Sequence, residues 1–166
     1  MPTYKAAKLR ESRDIFRSVH KKRDVVFIQK VGGPGIIKFD TYVGKRADLH
    51  CTSLGKVLLA YSSDAVVRDF LSADSFVKYT DVTITSRAAC KEELVKVRQK
   101  GYAVDDEEEE PGVRCVGVPV FNQLGELMSG LSLTGTTAQV LPENYDKLAD
   151  LSKQASARIS RALKVL

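Results

Sequence analysis

Two strand-like runs, Val113–Phe121 with four valines and Leu127–Thr134 with three leucines, stand on either side of Asn122-Gln123-Leu124-Gly125-Glu126. A short, glycine-bearing connection between two such runs reads as a β-hairpin. A hairpin imposes antiparallel pairing. Tyr102–Asp105 precedes the pair as a further short strand. Earlier in the chain, Val25–Val31 has the same β-branched and aromatic character. Gly32-Gly33-Pro34-Gly35 is a turn signal, and Ile36–Val43 reads as the strand that returns from it. The chain is therefore expected to build an antiparallel sheet.

Helical patterns fill the rest. In residues 4–23, Ala6, Leu9, Phe16 and Val19 fall near one face and no Gly or Pro interrupts, which predicts a basic N-terminal helix. Thr52 or Ser53 can cap a helix over Leu54–Tyr61, and Ser62 or Ser63 one over Asp64–Leu71. Tyr79–Thr85 is polar and reads as a loop. Ser86 can cap a helix that runs to Lys100, with Cys90, Leu94 and Val97 as its buried stripe and Gly101 as its stop. Pro142 suits the first turn of a last helix. Its stripe of Leu148, Leu151, Ala155, Ile159, Ala162 and Leu166 can pack on a sheet or on a partner subunit. The resulting architecture is α+β, with helices flanking a central antiparallel sheet. A length of 166 residues suits one domain with a core that needs no disulfide or metal.

Charge divides the chain more sharply than the net +5 suggests. Residues 1–24 hold eight Lys/Arg and three Asp/Glu, whereas residues 25–166 hold eighteen of each. The excess that could argue for nucleic-acid binding lies wholly in the first segment, and the body is neutral. No apolar stretch approaches the length of a membrane span, and the N-terminus lacks the apolar core of a signal peptide. Cys51, Cys90 and Cys115 are odd in number and scattered. These features lead us to expect a cytoplasmic protein with reduced thiols and no membrane partner.

Enzyme motifs do not emerge. The sequence has no P-loop, GxGxxG, HExxH or GxSxG, so no cofactor is expected. His20 reads as a solvated or interface residue. His50 next to Cys51 suggests a metal or a Cys–His nucleophile, but a closed zinc site would need help from an aspartate, and no third group is evident to orient a nucleophile. The pair is expected to be a buried thiol beside a loop histidine, with no metal bound. The run Asp105–Glu110 lacks the spacing of a calcium loop and reads as a solvated charged loop, with Asp105 turned inward at a strand end. The helix start at Ser53-Leu54-Gly55 offers free N–H groups and a dipole suited to a carboxylate.

Two segments carry a more specific signal. His50–Ala60 reads HCTSLGKVLLA, and Gly101–Gly135 reads GYAVDDEEEEPGVRCVGVPVFNQLGELMSGLSLTG. With Val43-Gly44-Lys45-Arg46, Thr83-Ile84-Thr85, Glu93-Leu94 and Val97-Arg98, they resemble the effector-binding domain of the IclR family of transcription regulators, over residues 4–163. The resemblance implies a GAF-like fold, a pocket for a small organic effector, often a carboxylate, and assembly into homodimers or homotetramers. It implies a ligand-binding set of Ser53, Leu54, Gly55, Asp105, Cys115, Ser132 and Thr134, the last standing where serine is often found. Phe39 and Val113 are possible apolar walls. Ser132 and Thr134, two apart on a strand, share a face. In such regulators a winged helix-turn-helix domain precedes this one and reads operator DNA. Residues 1–24 are too short for it. They are expected to form the junction to that domain, which would carry all contact with DNA, and residues 25–166 the effector-binding domain.

Three other functions compete with effector sensing. A thiol-based redox enzyme on a GAF-like scaffold requires a low thiol pKa at Cys115 or Cys51. Nucleic-acid binding through the basic first segment requires strong salt dependence. A pure oligomerisation module requires a pocket filled by its own side chains.

Overall fold

The computed structural model describes residues 14–21, 24–73 and 76–162. Among the described residues, six strands form one antiparallel sheet: β1 Asp14–Lys21, β2 Asp24–Val31, β3 Arg46–Asp48, β4 Ala103–Asp106, β5 Val113–Phe121 and β6 Leu127–Thr136. Their order is β3-β2-β1-β6-β5-β4. Helices α1 Ser53–Ala60, α2 Asp64–Leu71 and α3 Arg87–Lys100 lie between β3 and β4, and α4 Tyr145–Ala162 is the last described element, after a 3-10 turn at Pro142–Asn144. No helix among the described residues is long and apolar enough to cross a membrane.

The β5–β6 hairpin forms as its sequence requires, with Cys115 opposite Thr134 and Gly117 opposite Ser132. Alternation along both strands divides the interior in two. Val116, Val118, Val120, Leu131 and Leu133 pack with Leu148, Ala149 and Ile159 of α4. The other face covers a core of Val25, Phe27, Leu49, Leu54, Val57, Leu58, Cys90, Leu94 and Val97, built with α1 to α3. Capping follows the local chemistry. The Thr52, Ser63 and Ser86 side chains accept from backbone N–H groups of α1, α2 and α3, and Gly101 ends α3 in the left-handed region at φ 75°.

Three expectations need correction. Residues 14–21 of the predicted N-terminal helix are a strand, and residues 4–13 and 22–23 of that prediction lie outside the described residues. β1 is hydrogen-bonded on both sides, to β2 and, from Asp14 to Ser18, to Thr134 through Gly130 of β6. Those distant partners outweigh a local helical spacing. β1 therefore belongs to the sheet, and the boundary drawn at residue 24 cuts through the domain. Ile36–Val43 is not a strand either. Ile36 is 99% exposed, Ile37 51% and Val43 63%, so most of the apolar side chains that suggested pairing face outward, and Phe39 alone of them packs against the core. Lys30 Nζ of β2 donates to Phe39 O at 2.6 Å, and backbone pairing with β2 resumes where Gly44 N–H donates to Phe27 O and Phe27 N–H to Lys45 O. Gly44, at φ 95°, makes the turn into β3. The buried stripe of α4 is also rotated from the expected one. It includes Ser152 and Ser156, whose hydroxyls donate to Leu148 O and Pro119 O.

Candidate functional site

The start of α1 is held in place from three directions. The Thr52 hydroxyl donates to Asp48 O at 2.7 Å and accepts from Gly55 N at 3.0 Å, which locks the turn out of β3 to the first turn of the helix. A Cβ on Gly55 would lie 2.4 Å from Leu49 Cα and 2.5 Å from its carbonyl oxygen. A Cβ on Gly117 of β5 would lie 2.9 Å from the Ser53 carbonyl group. Each glycine lets one backbone approach another. Gly55 thus acts in packing, and it alone of the seven expected ligand residues does not line the cavity described next.

A cavity of about 510 Å³ opens beside this helix start, lined by Ser53, Leu54, Asp105, Cys115, Ser132 and Thr134. Phe39 and Val113 are among its walls, as expected. Phe27, Lys38, Asp40, Thr41, Lys45 and Tyr79 also line it, together with Thr52, expected only as a helix cap, and Glu109 and Glu110, expected only as part of a solvated loop. Lys45 belongs to the Val43-Gly44-Lys45-Arg46 segment. Tyr79 came from a stretch read only as a polar loop. Strand alternation puts Cys115, Ser132 and Thr134 on the cavity face of β5 and β6, opposite the valines and leucines that meet α4.

Most polar groups at the cavity floor are paired with one another. Ser53 Oγ and Ser132 Oγ are 3.0 Å apart, which ties α1 to β6. The Thr134 hydroxyl donates to Cys115 Sγ at 3.2 Å. Asp105 is 2% exposed, and its carboxylate accepts from Glu108 N at 2.9 Å. Burial pushes the Asp105 carboxyl up to about 7, against the pull of the nearby Lys56 ammonium. The Cys115 thiol is pushed well above its ordinary value by burial and by the Asp105 carboxylate. Burial raises Cys51 in the same direction, with Glu109 and Asp105 adding to it. Neither thiol meets the requirement of a thiolate catalyst.

The acidic run is not the solvated loop its composition suggested. Glu108 is buried and forms an ion pair with Lys56 of α1, which is 1% exposed. Glu93 of α3 lies 3.4 Å from the same ammonium. Glu108 Oε2 is buried with no hydrogen-bond partner. The run therefore folds over the cavity as a strap, anchored to a lysine that the sequence presented as part of an apolar helix.

Comparison with known proteins decides the lineage. Residues 11–161 match the family model described as the C-terminal domain of the bacterial transcriptional regulator IclR. The chain belongs to the IclR family. It is 36% identical over 141 residues to the HTH-type transcriptional regulator XynR of Escherichia coli K12, a match covering 85% of this chain and 56% of XynR. The crystal structure of the Thermotoga maritima IclR superposes with a TM-score of 0.86 at 33% identity, over 93% of this chain and 62% of that one. The inducer-binding domain of PobR from Acinetobacter, a double mutant in complex with 3-hydroxybenzoic acid, superposes with a TM-score of 0.83 at 27% identity, over 92% of this chain and 90% of that one. The chain spans about half the length of the curated relatives it matches. Its architecture is the GAF-like α+β fold of IclR effector-binding domains, and the relatives are named as transcriptional regulators.

Proposed function

We propose that this domain senses a small organic carboxylate for an IclR-type transcription regulator, and that effector occupancy shifts the oligomer and with it DNA binding by the full regulator. The observation that carries the reading is the convergence of Ser53, Leu54, Asp105, Cys115, Ser132 and Thr134 on one cavity of about 510 Å³. That volume suits a small ligand. N–H groups at the start of α1 and the one hydroxyl proton that the Ser53–Ser132 pair leaves over are donors for a carboxylate, Thr134 joins them when its hydroxyl turns from Cys115 Sγ, and Leu54, Phe39 and Val113 supply apolar wall. Asp105, with its carboxyl near 7, donates when protonated and accepts from a ligand hydroxyl when ionised. The match to an inducer-binding domain solved with a hydroxybenzoic acid supports a hydroxylated acid as the ligand class.

The direct experiment is a thermal-shift screen of central-metabolite and aromatic acids. A ligand bound only by the native state raises the melting temperature. The reading expects at least one acid to do so, with the shift altered in Asp105→Ala. No shift with any acid, together with an Asp105→Ala variant indistinguishable from wild type, refutes it.

A further inference from the structure

The adjacent His50 and Cys51 lacked a carboxylate partner in the sequence, and the fold supplies one. Asp48 ends β3, and the tight turn into α1 brings His50 and Cys51 back beside it. One ring nitrogen of His50, Cys51 Sγ and one carboxylate oxygen of Asp48 lie within 4.8 Å of one another. His50 and Cys51 are buried and Asp48 is half-buried.

Groups outside the trio already orient its members. His50 Nε2 lies 2.8 Å from the Val77 carbonyl oxygen. A carbonyl only accepts, so Nε2 carries the ring proton and Nδ1 holds the lone pair. The ring stacks on Phe76, with centroids 5.1 Å apart, which fixes its plane. The Tyr79 hydroxyl donates to Asp48 Oδ2 and leaves the other carboxylate oxygen for an ion. A histidine whose second nitrogen donates to a backbone carbonyl, beside a carboxylate held by a hydroxyl, is the outer-shell arrangement typical of metal ligands.

We propose that Asp48, His50 and Cys51 form a binding site for one divalent transition-metal ion of the zinc class. Imidazole, thiolate and carboxylate donors together suit zinc and not magnesium or calcium, which take oxygen ligands. Tetrahedral zinc, with bonds of about 2.0–2.3 Å, sets its donors roughly 3.5 Å apart. The trio therefore draws in by about 1 Å on binding, the thiol proton leaves to buffer, and water takes the fourth position. The carboxyl groups of Asp105, Glu108 and Glu109 also face Cys51, and Lys56 is the one fully buried lysine among the described residues. The site adjoins the effector cavity through Thr52 and Tyr79 but does not depend on its ligand, so either proposal can fail alone.

Cobalt(II), titrated into the metal-stripped chain, is the probe. The expected result is one equivalent bound, with a thiolate-to-cobalt charge-transfer band that zinc displaces and that Cys51→Ser abolishes. Tyr79→Phe removes the hydroxyl that holds Asp48 and is expected to weaken cobalt binding by about tenfold or more. Tyr79 is 47% exposed, so that variant is expected to fold normally. Absence of the band, or a band that survives Cys51→Ser, overturns the site. If Cys51→Ser does not fold, Tyr79→Phe decides, and an unchanged cobalt affinity overturns the proposal.

Discussion

Gly55→Ala separates packing from ligand contact at the start of α1. On helix propensity alone the substitution stabilises by about 1 kcal/mol, because glycine inside a helix is unfavourable. The geometry predicts the opposite. The new Cβ would sit 2.4 Å from Leu49 Cα, 2.7 Å from its carbonyl carbon and 2.5 Å from its oxygen. These are backbone atoms of the turn that the Thr52 hydroxyl holds to Asp48, so no side-chain rotation relieves the clash. The helix cannot simply move away either, because Ser53 already lies against Gly117 of β5. Overpacking of this kind costs typically about 1–3 kcal/mol and sometimes more. At the upper end, less the propensity gain, Gly55→Ala is expected to destabilise by about 2 kcal/mol. For a chain of this size that is a drop of roughly 4–8 °C in melting temperature. Urea unfolding and calorimetry measure both quantities. A variant as stable as wild type, or more stable, would show that α1 does not approach the Leu49 backbone as described.

Three further outcomes follow from the charged groups and the thiols. The Asp105 carboxyl moves from an ordinary 3.8 to about 7, so between those values the native state holds a proton that the unfolded chain has released. The contribution of Asp105 to native stability therefore declines as pH rises from about 4 to 7 and is constant above. Urea unfolding across that range is expected to show Asp105→Asn gaining on wild type, by at most about 4 kcal/mol at pH 8, and parallel curves would contradict the buried carboxyl. Lys56→Met leaves the buried Glu108 carboxylate uncompensated and is expected to destabilise by about 3–5 kcal/mol, with part of the loss recovered in Lys56→Met/Glu108→Gln. Equal losses in the single and double variants would count against the ion pair. Cys115 is expected to alkylate slowly in the native protein at neutral pH and rapidly after unfolding, whereas fast native labelling would revive the thiol-enzyme reading.

Legibility in the sequence followed the range of the interactions. The caps of α1, α2 and α3, the left-handed Gly101 and the β5–β6 hairpin depend on residues a few positions apart, and each stood where its side chains implied. The two-residue period that puts Ser132 and Thr134 on one face was equally local. β1 was misread because its strand state rests on β6, more than a hundred positions away, while the spacing of its apolar residues also fits a helical turn. Ile36–Val43 shows the converse, since β-forming residues without a partner edge stay outside the sheet. Six of the seven expected site residues meet in the cavity. Gly55 was indistinguishable in sequence from a ligand-facing glycine, because only the Leu49 backbone reveals its role. The inward turn of Glu108 was hidden because four consecutive glutamates carry no sign of which one faces Lys56, and nothing in an apolar helix marks its one lysine as buried.

The most direct test of effector sensing uses the hydroxyl pair on the cavity floor. Ser53 and Ser132 are hydrogen-bonded mainly to each other at 3.0 Å, so replacing both by alanine strands no main partner and is expected to leave stability nearly unchanged. The acid that gives the largest thermal shift should be titrated calorimetrically into wild type and into Ser53→Ala/Ser132→Ala. The account predicts binding to wild type and a loss of at least about tenfold in the double variant, the worth of one hydrogen bond to a charged ligand. Equal affinity for the two proteins would contradict it.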